Sequence, residues 1–157
     1  MDEFKIWLDN NKNHCALVDK SYKNVCQQKK GVDPNDIKVN TELATYGDAV
    51  LKLALCQILW CEDVSMLTEK KKKYEEDETL VKAIADYYDL LDYIKYDKKT
   101  KPSDYEYEKK HGKNPHKFIA TAVEACLGAI YLENKSIDVV LEIVNVWKNL
   151  IDYSDNN

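Results

Sequence analysis

The chain of 157 residues carries 28 acidic against 23 basic side chains, a net charge of −5, so as a whole it is not built to attract polyanions. Every positive residue is a lysine, which excludes planar two-bond reading of guanine edges by arginine but leaves phosphate contact open. No apolar run is long enough to span a membrane, the acidic opening MDEFKIWLDNNK lacks the apolar core of a signal peptide, and the five cysteines (Cys15, Cys26, Cys56, Cys61, Cys126) contain no C-x-x-C pair. A reduced, cytoplasmic protein without a zinc site is expected.

With four glycines and three prolines, a turn-rich all-β fold is disfavoured, and the apolar spacing predicts an all-α chain folded as one domain over residues 1–157. Residues 2–39 read as N-terminal helices and a loop. A first helix is expected near 2–10, helical spacing continues through HCALVDKSYKN, and Gly31 and Pro34 mark a loop. Asn40 is placed to cap the helix of 40–62, whose stripe runs Leu43, Gly47, Val50, Leu51, Ala54, Leu55, Ile58 and Leu59. Middle helices are expected over 66–96, with Thr68 as a cap and Leu80, Ile84, Tyr87, Leu91 and Ile94 on one face. A loop at 97–116 is broken by Pro102, Gly112 and Pro115, and C-terminal helices cover 117–153.

Two of these helices each carry an acid in an unusual place. Asp48 lies between Gly47 and Ala49, and Glu124 between Val123 and Ala125. A glycine costs about 1 kcal/mol against alanine inside a helix, and a carboxylate on a half-buried face costs more unless something pairs with it. The helical spacing puts Thr41, Ala44, Thr45 and Leu51 on the face of Asp48, and Thr121, Ala125 and Gly128 on the face of Glu124. These mostly small residues let two helices approach closely and bring both carboxylates to one point. Such a pair repels unless a proton or cation sits between, and Mg²⁺ is commonly held by one or two carboxylates. The competing reading is that each acid caps a neighbouring helix or pairs with a buried lysine.

The stretch NTELATYGDAVLKLAL resembles the signature helix of the ribonuclease III family, N-E-R-L-E-F-L-G-D-A-V-L. TAVEACLGAIYLE resembles that family's second motif, D-x-x-E-A-L-x-G-A-x-x-L-D. ALVDKSY is similar to its A-L-T-H-R-S-Y, and ETLVKAIADYYDLLDYI to its segment N-x-x-L-A-x-x-A-x-x-L-x-L-x-x-Y. The resemblance implies an all-α, ribonuclease III-like helical endonuclease domain that works as a homodimer on double-stranded or structured RNA. It implies a metal-dependent cleavage with Mg²⁺ as cofactor and Mn²⁺ as a substitute. Two of the family's metal-binding acids fall on Asp48 and Glu124. The others are replaced: the two signature Glu positions fall on Thr41 and Ala44, the Asp of D-x-x-E on Thr121, the acid of the intermediate segment on Lys82, and the signature Phe of the dimer surface on Thr45. The Mini-III branch is similar at the same places, with a Thr before x-x-E and no separate RNA-binding domain. There the reduced set goes with an active nuclease. The implied metal site is therefore Asp48, Glu124 and the Thr121 hydroxyl, with Asp48 and Glu124 catalytic. A relative that keeps the fold but serves as a non-catalytic dimerisation or RNA-binding subunit is the rival implication.

Residues 95–117 hold eight lysines against four acids. Lys98, Lys99, Lys101, Lys109, Lys110, Lys113 and Lys117 are candidate RNA-phosphate contacts, interleaved with Tyr105 and Tyr107; a solvated lysine loop is the alternative. The run EKKKKYEEDE balances its charges and reads as a solvated helix face. No catalytic role is expected of His14, His111 or His116.

Overall fold

The computed structural model describes residues 1–62, 65–101 and 117–157. Among these residues the architecture is all-α, as the spacing predicts. Helix α1 (Glu3–Asn10) is capped by Asp2, whose side chain accepts the Lys5 backbone N–H at 3.1 Å. It buries Phe4, Trp7 and Leu8, and the Phe4 ring meets those of Tyr88 and Trp147 edge-on at 4.9 and 5.0 Å.

The helical spacing of 14–24 is not realised as one helix. A 3₁₀ turn (Cys15–Leu17) and the short α2 (Tyr22–Gln27) are separated by extended backbone. There Val18 and Lys95 form an isolated parallel bridge: Asp19 N–H donates to the Lys95 carbonyl at 2.9 Å and Lys95 N–H to that of Leu17 at 2.8 Å. A tie to a residue almost eighty positions away outweighs the local preference.

Helix α3 (Thr41–Glu62) follows. The Asn40 carbonyl accepts the Ala44 N–H at 2.9 Å, the bond expected of a residue at the helix start, while its buried side-chain amide donates to the Ala16 carbonyl at 3.3 Å. Helix α4 (Leu67–Glu75) starts before the expected cap Thr68; Met66, at φ 55°, stands at its head without a side-chain cap bond. Within the middle helices expected over 66–96, the helical spacing that runs from Leu80 to Ile94 breaks up. One turn, α5 (Asp77–Thr79), widens into π geometry at Leu80–Ala85, and a 3₁₀ turn (Leu90–Asp92) follows Asp89 in the left-handed region at φ 51°. Helices α6 (Lys117–Asn134) and α7 (Ile137–Asp155) complete the chain, the latter capped by Ser136. Asp152 accepts from Lys73, Tyr74 and Lys148 at 2.8–2.9 Å, which ties α4 to α7.

Helix α6 is the centre of the fold. Every residue from Ile119 to Ile130 except Thr121 and Glu124 is buried. A helix apolar on nearly all sides belongs inside other elements, and α3 is its principal neighbour. Their crossing is closer than side chains permit. A Cβ built on Gly47 would stand 1.7 Å from the Glu124 carbonyl oxygen, and one on Gly128 2.4 Å from that of Leu43. Both contacts are with backbone, so no rotamer change relieves them.

Gly47→Ala therefore forces the two helices apart. It is expected to lower stability by about 2 kcal/mol or more even after the gain in helix propensity, as read by urea unfolding. A substitution that leaves stability unchanged would contradict the close crossing.

Candidate active site

Gly47 and Gly128 set the spacing at which α3 and α6 present their acids. Asp48 follows Gly47 directly, and the Glu124 carbonyl is the atom packed against Gly47, so both carboxylates leave the backbone at the crossing. Both side chains are half-buried. Asp48 accepts a hydrogen bond from Lys52 Nζ, one turn on, at 2.7 Å. Glu124 is held well above the ordinary carboxylate range, at about 7: burial is the first cause, followed by the negative charges of Asp48 and Asp77, with Lys52 and Lys117 acting in the opposite sense. The two acids named from the sequence thus feel one another's charge.

Thr121 lies one turn before Glu124, half-buried, and its hydroxyl donates to the Lys117 carbonyl at 2.8 Å. Its oxygen retains accepting capacity toward water. Among the positions where the resemblance implies acids, Ala44 is buried against the core and Thr41 is exposed. Lys82 is exposed and pairs with Glu78. The middle segment's charge acting on Glu124 comes from Asp77 instead, five residues earlier. Asp77 sits in the run that reads as a solvated face; the turn of α5 directs it back toward α6. The four consecutive acids from Glu75 to Glu78, ahead of an apolar run, are the only sequence signal for it.

The lysine candidates divide. Lys98, Lys99 and Lys117 are exposed. Lys101 is largely covered, with Nζ 3.9 Å from Asp19 Oδ2 and 5.3 Å from the centre of the Phe118 ring. Lys109, Lys110 and Lys113 lie outside the described residues, as do Tyr105, Tyr107, His111 and His116. His14 supports the local fold, since its Nδ1 accepts the Ala16 N–H at 3.1 Å.

The donor set at the crossing fits a hard divalent cation. It comprises two carboxylates and a hydroxyl in a locally negative field, and Mg²⁺ commonly takes one or two carboxylates and keeps its remaining waters. Among the described residues, no three His, Cys, Asp or Glu side chains come together in a way that would hold an ion. Among the described residues, the acids at this crossing are Asp48 and Glu124.

Comparison with known families matches residues 41–135 to the model of the ribonuclease III domain. The match begins at the first residue of α3 and ends just past α6, and so spans both acids. No curated protein matches the chain.

Glu124 holds its proton more tightly in the folded chain than in the unfolded one, where its value is 4.5. Between about pH 4.5 and 7 the folded state binds more protons, so stability falls as pH rises through that window. Glu124→Gln removes the effect. Without divalent ions, this variant is expected to exceed the parent in stability at pH 8 by up to about 3 kcal/mol, a gap that closes near pH 4.5, in urea unfolding at both pH values.

Proposed function

The chain belongs to the ribonuclease III domain family, and from that premise we propose that it is a metal-dependent endoribonuclease hydrolysing phosphodiesters of double-stranded or structured RNA. The observation that carries this reading is the crossing at Gly47 and Gly128, where Asp48 and Glu124 share one negative field. Paired acids held at electrostatic cost in a half-open site are what hydrolysis assisted by an ion calls for. Asp48 and Glu124 would hold Mg²⁺, or Mn²⁺ in its place, with the Thr121 hydroxyl orienting a water. When bound, the ion lowers the pKa of a water and neutralises charge on the phosphate. Before that, the chain's own groups keep the carboxylates half-buried and spaced by backbone contact. Lys117, exposed one turn before Thr121, together with Lys98 and Lys99, would guide phosphates toward them, and Lys109, Lys110 and Lys113 would extend that path, whereas Lys101 is held against Asp19 and the Phe118 ring. The free thiols suit a reducing, cytoplasmic setting. No helix among the described residues is long and apolar enough to cross a membrane.

We further propose a homodimer, which would supply one site per RNA strand. On α3, Tyr46, Leu53 and Trp60 are spaced seven residues apart and are 44, 50 and 63% exposed. Such a spacing keeps three large apolar groups on one face of a helix. Thr45, where the family has its dimer-packing Phe, is exposed beside this face, and the aromatic pair Tyr46 and Trp60 supports a compensating contact. A second reading, a non-catalytic subunit with the same fold, is favoured by the lysine on Asp48 and by the lack of a third acid at the described crossing.

Cleavage of long duplex RNA with Mg²⁺ separates the two readings. The parent is expected to cut, and Asp48→Asn and Glu124→Gln each to slow cleavage by more than about 100-fold, beyond the 10–100-fold that a supporting residue costs. A parent that forms dimers but leaves RNA intact would establish the non-catalytic reading.

For the dimer, Leu53→Lys with Trp60→Glu is expected to halve the mass measured by light scattering while helical content by circular dichroism stays unchanged. A parent that is already monomeric would remove the dimer.

A further inference from the structure

Lys52 lies one residue beyond the twelve-residue signature pattern, yet it contacts the acid on which the proposed metal site depends. Its Nζ donates to Asp48 Oδ2 at 2.7 Å. The charges of Glu75 and Glu124 also act on it. Glu75 is itself engaged by Lys71 at 2.6 Å. Lys52 thus stands in the field of acidic groups on α3, α4 and α6, with Asp48 as its direct partner. The spacing of four residues holds the ammonium on the face of α3 that carries Asp48, and the lysine stem gives it freedom to leave.

We propose that Lys52 is a built-in counter-cation of the Asp48–Glu124 site, which occupies Oδ2 of Asp48 and withdraws when a divalent ion enters. The inference rests on the metal-site reading above and adds a residue that sets how tightly the ion is held. An ammonium at 2.7 Å from Oδ2 takes up one of the two Asp48 oxygens and offsets much of the carboxylate's charge. An entering ion therefore competes with Lys52 for Asp48. The ion must supply enough extra attraction to the two carboxylates to displace a group tethered a turn away. Lys52 weakens ion binding at equilibrium, and it keeps the ion-free crossing from carrying two uncompensated carboxylates. It is a positioning residue: it reaches the reaction through Asp48.

The test uses the full chain without RNA and reads Mn²⁺ binding by electron paramagnetic resonance, so that cleavage is not the readout. The variants are Lys52→Met, Lys52→Arg and Asp48→Asn, each checked for helical content. Methionine keeps the length and helix propensity of the side chain but offers no charge and no hard donor. Lys52→Met is expected to bind Mn²⁺ about two- to fivefold more tightly than the parent, the scale of a half-exposed ion pair. Lys52→Arg should stay close to the parent and Asp48→Asn should lose the site. A parent that binds no Mn²⁺ beside a Lys52→Met variant that does would support the inference in its extreme form. Equal or weaker binding by Lys52→Met, with Asp48→Asn still silent, overturns the role of Lys52 and leaves the metal site standing. Silence from the parent and Lys52→Met alike overturns both, and binding that survives Asp48→Asn places the ion elsewhere and overturns the inference.

Discussion

Two glycines, facing one another from α3 and α6, are the constraint from which the rest of the structure follows. Neither tolerates a Cβ, because what lies opposite is backbone: the Glu124 carbonyl for Gly47 and the Leu43 carbonyl for Gly128. Each glycine costs helix stability of about 1 kcal/mol. In return the main chains come close enough for Val50, Leu51 and Ala54 of α3 to be buried with Val123, Leu127 and Ala129 of α6. The acids ride on this contact. Asp48 is the neighbour of one glycine, and Glu124 supplies the carbonyl that touches it. Helix packing and acid placement are therefore one property of the sequence; a change that separates the helices also separates the carboxylates.

The electrostatics of the crossing follow from that geometry. Glu124 is pushed up to about 7 by burial first, then by Asp48 and Asp77. Left to itself such a carboxylate takes up a proton or a cation. The chain answers in part, with Lys52 on Asp48 and Lys117 acting on Glu124 from the start of α6. The positions that lack the family's acids fit this picture. Ala44 is buried, where a third carboxylate would need its own partner, and Thr41 faces solvent. What is left at the crossing is a small charge set: two carboxylates, a more distant third acid, and two lysines.

Much of this is legible in the sequence alone, and the reasons differ by element. The stripe of α3 and the nearly unbroken apolar run of α6 are strong helical signals because long periods average out local noise. The close approach of α3 and α6 beside Asp48 and Glu124 is legible because small residues around an acid mark such an approach. The departures have physical causes. The spacing of 14–24 is helical, but the bridge between Val18 and Lys95 draws that backbone into an extended form. The break after Ala85 depends on π geometry and on Asp89 taking a left-handed conformation without being glycine, which composition does not announce. Asp77 stays hidden because a balanced run of charges looks alike whether it faces solvent or a site, and its direction is set by the turn of α5.

Helix α3 serves three purposes at once, and its angular layout explains how they coexist. With 3.6 residues per turn, Gly47, Leu51, Ala54 and Ile58 form the face buried against the core, while Asp48 and Lys52 form the charged edge of the crossing. Tyr46, Leu53 and Trp60 form a third, exposed face. Tyr46 is stacked on Tyr131 of α6 at 5.8 Å, so the exposed face is anchored to the same helix pair that spaces the acids. Anything that docks on that face presses on the partner of Gly128. The proposed dimer and the proposed site are thus mechanically joined through one 22-residue helix, and the joint is the glycine contact.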